Sequence, residues 1–459
     1  MNNSVVATHE REVNLPSSLA TLSRKLGRQQ SASLWLDGRG GFAQAWSTGS
    51  LLAVKPTESM SFPGPSFTQL EQAVATVERI VRGRRRRGGT GATGVALMLA
   101  YEALDESAPS IARGTGLPRI VALEVDRSLR LIGDGRYLLT QNRDRAGRDD
   151  AHRSADELVE QLAGRLPEVD GGTVRSARVC GPVRSRLDRE QYLRAVRRIK
   201  QHIECGDLYQ ANLCQHFTAP YRGDELRLFD DLSQSMPAPR SAFVRTPKFC
   251  IASVSPEIFL RGGPDDHIET WPIKGTCPRH EDPVDDRVAA RALLASAKDR
   301  AELLMIVDLE RNDLGRVCQV GSISVTNLAS LQSFAKVHHL VARVEGRLRP
   351  DAGVSDVLRA TFPGGSISGA PKIRARQILN DVEGSPRGFF TGALCWLGDD
   401  GSFDSSILIR TLVFSGGQVH LGAGGGIVAD SDPELEWRES NLKARAPAAA
   451  LGFAPEEAR

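Results

Sequence analysis

Two pairs of carboxylates sit three residues apart, Asp299 with Glu302 and, far along the chain, Glu436 with Glu439. If both segments are helical, the members of each pair share one face. Taken singly, each pair reads as a surface couple neutralised by Lys298, Arg300 or Arg438. A third carboxylate, Glu257, follows the apolar run Phe249-Cys-Ile-Ala-Ser-Val, where it could do no more than cap a turn. Lys274 lies in Trp271-Pro-Ile-Lys-Gly-Thr276, which reads as a strand end running into a turn. A lysine in such a place ordinarily points to solvent. Beside Trp271, Pro272 and Ile273, however, its amine can be partly desolvated, which lowers its pKa toward a nucleophilic free base. Arg410 ends the apolar run Ser406-Ile-Leu-Ile-Arg, a place that suits either a snorkelling surface cation or an anion clamp. His339 taken alone is equally well a satisfied structural residue.

Three glycine-rich segments invite ligand readings. Gly89-Thr-Gly-Ala-Thr-Gly94 matches a dinucleotide fingerprint, but arginines occupy the place of the required preceding strand. These glycines are expected to let a helix, Val95 to Leu104, begin close to a sheet. Phe362-Pro-Gly-Gly-Ser-Ile-Ser-Gly-Ala-Pro-Lys372 has the glycine spacing of a P-loop, yet Ala370 stands where its lysine should be. Gly422-Ala-Gly-Gly-Gly-Ile-Val reads as a loop whose backbone N–H groups can approach a carboxylate.

Taken together and in order, these segments resemble the chorismate-utilising enzymes between about residues 190 and 445. The segments are Gly206-Asp-Leu-Tyr-Gln-Ala-Asn-Leu213, Ser255-Pro-Glu257, Pro272-Ile-Lys-Gly-Thr276, the acid-bearing helical stretches and the loops at 362–372 and 422–431. The resemblance implies that the two acidic segments converge on one Mg2+, with Glu302 and Glu439 as direct ligands and Asp299 and Glu436 acting through water. It also implies Glu257 as a general acid toward the C4 hydroxyl of chorismate. Arg410 and Lys443 would hold the substrate's carboxylates, with His339 near the ring. Ser366, Ser368, Thr276, Gly424, Gly425 and Gly426 would line the substrate site. Lys274 in Pro-Ile-Lys-Gly-Thr resembles the aminodeoxychorismate synthase component I branch, whereas the anthranilate synthase branch typically has alanine there. Members that add water at C2 carry a lysine where this chain has Gln210, which argues against isochorismate chemistry. The expected reaction is amination of chorismate to 4-amino-4-deoxychorismate, with anthranilate formation as the alternative. Because no amidotransferase nucleophile segment is visible, ammonia is expected from a separate glutamine amidotransferase subunit.

The elements that must position these residues are legible in part. Asp188 and Gln191 form a capping box ahead of Tyr192, Val196, Ile199 and Ile203 at helical spacing. Leu303, Ile306, Val307 and Leu314 mark the apolar side of a helix around 301–313. Upstream, Ser33–Leu36 and Ser50–Val54 read as strands, Thr68–Val81 and Ala155–Leu166 as helices, and the run Arg82–Gly89 as a solvated loop. A boundary near residue 185 divides an N-terminal portion, 1–185, from a catalytic portion, 186–450. The resemblance implies an α+β fold of two large antiparallel β-sheets packed face to face with helices outside.

At 459 residues, with 41% hydrophobic and 25% charged residues, the composition is that of an ordinary globular protein. A net charge of +3 is too small to argue for a nucleic-acid partner. No stretch approaches the ~20 apolar residues of a membrane span, and the N-terminus shows no basic-then-apolar secretory pattern. The seven cysteines lack CxxC spacing and read as reduced thiols, so a cytoplasmic location is expected.

Overall fold

The structure, a computed structural model, describes residues 175–458 apart from 335–336. Ahead of these it describes 9–15, 32–37, 49–54, 56–62, 67–85, 89–104, 117–133, 136–141 and 157–160, with isolated positions between. Two antiparallel sheets, of thirteen and ten strands, make up the framework. Strands from both sides of residue 185 interleave in each sheet. In the larger one, Ser33–Asp37 pairs with Arg240–Arg245, and in the smaller one Gly94–Leu99 pairs with Ala393–Gly398.

The period of two along each strand explains how the layers stack. Leu34 and Leu36 point inward to meet Ala96, Met98, Val121 and Trp396 of the other sheet, while Trp35 between them points outward. On the opposite strand, Val95, Leu97 and Leu99 face outward against the helices Phe67–Arg85 and Ala297–Gly315, through Val74, Val77, Leu303 and Val307. The outer face of the larger sheet is covered by Glu225–Ser235 and Pro433–Leu451. The fold is therefore the expected one, two large antiparallel sheets face to face with helices outside. Both faces of each central strand are buried, and each large side chain so enclosed contributes about 1.5–3 kcal/mol.

Several local expectations are corrected. Val95–Leu104 is no helix, because Gly94–Leu99 is a strand buried on both faces, and a short apolar run does not distinguish the two. Gly422–Ile427 is no loop either. It belongs to the strand Gln418–Ile427, paired along its length with Gln210–Arg222. The helix Phe67–Arg85 runs into the arginine tract, and Arg84 is buried against Glu124, Asp126 and Asp399 rather than solvated. Residues 86–88 lie outside the described residues, as does most of the expected 155–166 helix, of which 157–160 and 162 are helical. The capping box at Asp188 and Gln191 forms, opening the helix Arg189–Glu204.

Trp271–Thr276 also differs from expectation, since the chain does not turn there. His267–Trp271 and Ile273–Pro278 both pair with Val337–Arg347 in one register across Pro272, with Thr270 opposite Val344 and Lys274 opposite Leu340. The Pro272 carbonyl accepts from the Ala342 N–H at 3.1 Å, so the proline costs this strand no acceptor. Register slips by one residue at Gly275, whose φ of +71° is the left-handed conformation of a bulge. A Cβ there would lie 3.0 Å from that of Asp299. The bulge thus seats the lysine segment against the N-terminal turn of the Ala297–Gly315 helix.

One buried ion pair ties the two sheets together. Arg240, from the larger sheet, donates to Asp404 of the smaller, and both are fully buried. Removing one partner of such a pair strands the other charge at a cost of about 3–5 kcal/mol. Asp404→Ala is therefore expected to lose that much stability in urea titration, and a loss below ~1 kcal/mol would contradict this role for the pair.

Candidate active site

Four elements meet at Ser366, whose carbonyl accepts from two of them. The short helix Gly365–Ser368 presents the Ser366 carbonyl, which accepts from the Lys274 amine at 3.3 Å and from the side-chain amide of Asn212. Asn212 comes from the Gln210–Arg222 strand and Lys274 from the bulged strand. The fourth element is the junction between the strands Cys250–Ser255 and Ile258–Gly262. It carries Glu257, which is 4% exposed and whose Oε1 has no hydrogen-bond partner. Burial pushes the Glu257 carboxyl up to about 7, opposed by the nearby Ser366 hydroxyl and the Lys274 charge. No well-formed hydrogen bond joins Glu257 to that hydroxyl, so burial prevails. Lys274 is displaced the other way. Burial lowers its pKa and the Lys443 charge lowers it further, against the pull of Glu302, Glu257 and Glu439. The two groups are thus driven toward each other's range, the pattern of an acid and a base set by environment.

The two acid pairs lie on the expected helices. Ser296 caps Ala297–Gly315, and Asp299 and Glu302 stand in its opening turns. Asp432 caps Pro433–Leu451, where Glu436, Glu439 and Lys443 follow one another along one face. That face looks onto the glycine strand. A Cβ at Gly425 would lie 3.3 Å from Glu436 Oε2 and 3.6 Å from both Glu439 Oε1 and Lys443 Nζ. Any side chain there would fill the space in front of the acids. Glu436 is buried, its Oε1 accepts from the Ser431 hydroxyl at 2.7 Å, and burial raises its pKa. Burial likewise raises Glu302, whereas Glu439 is held down by Lys443 at 2.6 Å. Glu302, Glu439 and Lys274 are near enough to act on one another electrostatically.

The cradle at Gly425 and an all-carboxylate donor set fit a hard divalent cation such as Mg2+. The four acids do not close into a tight cluster by themselves. Among the described residues, the one His/Cys/Asp/Glu group whose ligand atoms all lie within 4.8 Å of one another is His267, Glu269 and Glu345. Arg343 pairs with both of its carboxylates and Arg261 lies 3.7 Å from Glu269, so cations already serve that group.

The remaining expected residues divide by position. His339 is buried, its Nδ1 bonds Thr276 Oγ1 at 2.8 Å, and its Nε2 has no partner. Burial, helped by the Arg410 charge, pushes its pKa down to about 4, so the ring is neutral. Arg410 has a φ of +50°, and among the described residues no ion pair or hydrogen bond engages its guanidinium. It therefore remains available to an anion beside Glu257 and His339. Gly424 gives its carbonyl to Lys443 at 3.2 Å, and Gly426 lies under the Gln210 amide. Ser368 does not face this space. It is fully buried, and its hydroxyl donates to the Gly364 carbonyl at 2.7 Å. Sequence reasoning missed two residues. Asn212 sat inside a motif already singled out, but nothing marked its amide as a partner of residue 366. Arg387 gave no local signal at all.

Residues 31–449 match the family described as chorismate binding enzyme. The chain belongs to that family. Over 257 residues it is 47% identical to aminodeoxychorismate synthase component 1 of Klebsiella aerogenes, covering 56% of this chain and 57% of that protein. Over 260 residues it is 45% identical to anthranilate synthase component 1 1 of Haloarcula marismortui, covering 56% and 53%. The chain thus matches little more than half the length of these curated relatives. Among solved structures, anthranilate synthase component I from Streptococcus pneumoniae superposes with a TM-score of 0.73 at 25% identity, over 87% of this chain and 92% of that one. No helix among the described residues is long and apolar enough to cross a membrane.

For this chorismate binding enzyme the raised pKa of Glu257 has a direct signature. A carboxyl displaced upward stays protonated below about pH 7 and ionises as the pH rises through it. The infrared difference between the protein and its Glu257→Gln variant should therefore contain a carboxylic-acid band that fades across that range. A band already lost near the ordinary glutamate pKa of ~4.3 would refute the assignment.

Proposed function

We propose that this chain aminates chorismate at C4, as the synthase component of an aminodeoxychorismate synthase, with Mg2+ bound and ammonia delivered by a separate glutamine amidotransferase subunit. Within it, the portion 186–450 carries the chemistry. The observation that carries this reading is the placement of Lys274. Its half-buried amine, whose pKa burial lowers, shares one site with an acid, Glu257, that is held protonated to about pH 7. In the reading, the Lys274 amine forms a bond to C2 while Glu257 gives its proton to the C4 hydroxyl, which leaves as water as the ring double bonds shift. Ammonia then bonds to C4 and the reverse shift breaks the C2–lysine bond, returning the amine and leaving the enolpyruvyl group attached. One hard displacement becomes two easier ones. Arg410 and Lys443 hold the substrate's carboxylates, and Thr276 fixes His339 so that its free Nε2 faces the ring. Ser366 and Gly424–Gly426 shape the wall, and Ser368 supports the loop from behind through its bond to the Gly364 carbonyl.

Glu302 and Glu439 would hold the metal, with Asp299 and Glu436 beside them. Mg2+, when bound, offsets the charge of the ring carboxylate and of the acids themselves. Anthranilate synthesis is the second reading, favoured by the likeness to anthranilate synthases in sequence and fold. A lysine at position 274 speaks against it.

Enzyme incubated with chorismate and Mg2+ without ammonia should carry an adduct on the peptide containing Lys274, and adding ammonium should yield 4-amino-4-deoxychorismate. Lys274→Ala should lose the adduct and most of that product. Unchanged 4-amino-4-deoxychorismate output from Lys274→Arg would overturn the nucleophile assignment, and anthranilate from the unaltered protein would favour the second reading.

Excess chelator should abolish turnover and Mg2+ restore it. Glu302→Gln or Glu439→Gln should lower kcat/KM by at least ~100-fold, equivalent to about 2.7 kcal/mol of transition-state stabilisation, with unaltered thermal unfolding. Full activity in chelator would contradict the metal role of the four acids.

A further inference from the structure

The Tyr101-Glu102 pair and Arg387 meet directly behind the Ser366 carbonyl. Arg387 is buried, and its guanidinium spreads over three segments. Nε and Nη2 donate to the two carboxylate oxygens of Glu383 at 2.9 and 2.6 Å, Nη1 donates to the Ile367 carbonyl at 2.9 Å, and Nη2 to the Asn212 carbonyl at 2.5 Å. The face of the guanidinium lies 4.4 Å from the centroid of the Tyr101 ring. Its backbone is fixed as well, since Glu102 accepts from the N–H groups of Arg387 and Gly388 at 2.6 and 3.2 Å. Glu383 also accepts from the Cys214 N–H at 2.9 Å, so the same carboxylate anchors the Gln210–Arg222 strand.

Both carbonyls that Arg387 holds are one step from the site. Ile367 follows Ser366, so fixing its carbonyl fixes the peptide plane next to the one carrying the Ser366 oxygen. Asn212 is the residue whose side-chain amide donates to that oxygen, beside the Lys274 amine. A planar fork can hold two carbonyls and a carboxylate at once, which a flexible ammonium cannot.

We propose that Arg387, braced by Tyr101 and Glu102, is a positioning residue that sets the Ser366 carbonyl against the Lys274 amine. The inference rests on the reading of Lys274 given above. It assigns a task to the Tyr101-Glu102 pair, which links the N-terminal portion to the catalytic loop. Glu383 alone would satisfy the charge of Arg387. The bonds to Ile367 and Asn212 are what a purely structural ion pair would not require.

The test compares Arg387→Lys with the unaltered protein in three measurements: the split between kcat and KM for chorismate, the rate at which a small amine-reactive reagent labels Lys274 relative to surface lysines, and thermal unfolding. A reacting group misplaced by ~1 Å costs about 100-fold, so kcat should fall by about that factor while KM moves by less than about threefold. Lys274 labelling should change while that of surface lysines does not. In Arg387→Ala assayed at fixed saturating ammonium, added guanidinium should restore part of the lost kcat and tetramethylammonium should not. If Arg387→Lys lowers the unfolding temperature but keeps kcat and Lys274 labelling within about twofold of the original, the positioning role is wrong. If Arg387→Ala fails to fold, Arg387→Lys alone decides. Failure of the unaltered protein to aminate chorismate would reject the functional reading, whereas the labelling comparison would still decide the role of Arg387.

Discussion

A half-buried amine and a buried carboxyl that act on each other's charge set the terms for this molecule. In water, Lys274 would be charged and Glu257 ionised near neutrality. Burial penalises the charged form of each, raising the carboxyl to about 7 and lowering the amine. Such a pair holds its geometry only if the surrounding structure is stiff. The stiffness comes from two sheets fixed to one another by a continuous apolar layer and by the buried Arg240–Asp404 bond. Lys274 reaches the site from one sheet and Asn212 from the other, so the Ser366 carbonyl between them records how the sheets are set.

Charge around this centre is arranged to be displaced. Lys443 is paired with Glu439, while Lys298 stands 3.9 Å from Glu302. The Arg410 guanidinium and His339 Nε2 are without partners among the described residues. In the proposed reading, the acids on one side and the unengaged Arg410 guanidinium on the other would suit a dicarboxylate presented with a divalent cation. Neither side is complementary to an uncharged ligand. Leaving buried polar atoms unpaired costs about 1–3 kcal/mol each, a cost borne where a ligand later supplies the partner.

The two glycines that matter act by what they leave out. Gly275 lets the bulged strand approach Asp299, and Gly425 keeps open the space before Glu436 and Glu439. Both connect a strand to a helix bearing a carboxylate pair, so the acidic helices are placed by backbone contact rather than by their own sequences.

Much of this was legible in the residues themselves. The i,i+3 acid pairs, the capping box at Asp188 and the apolar stripe of Ala297–Gly315 follow local periodicities that depend on neighbours within one turn. Ordered motifs also pointed to Lys274 and Glu257. Other features depended on pairing between distant strands, for which one segment holds no information. Val95–Leu99 reads as either helix or strand until Leu397 and its neighbours lie beside it. Pro272 looks like a chain break until the Ala342 N–H finds its carbonyl. Gly422–Ile427 looks like a loop until Gln210–Arg222 pairs with it, and Arg84 looks solvated until Asp399 arrives from more than three hundred residues away. The sequence alone determined which groups could do chemistry and which helices carry them. Tertiary structure alone decided which amine is desolvated, which carboxyl stays protonated and which carbonyl joins them, because dielectric and hydrogen-bond partners belong to the packed interior and not to the chain.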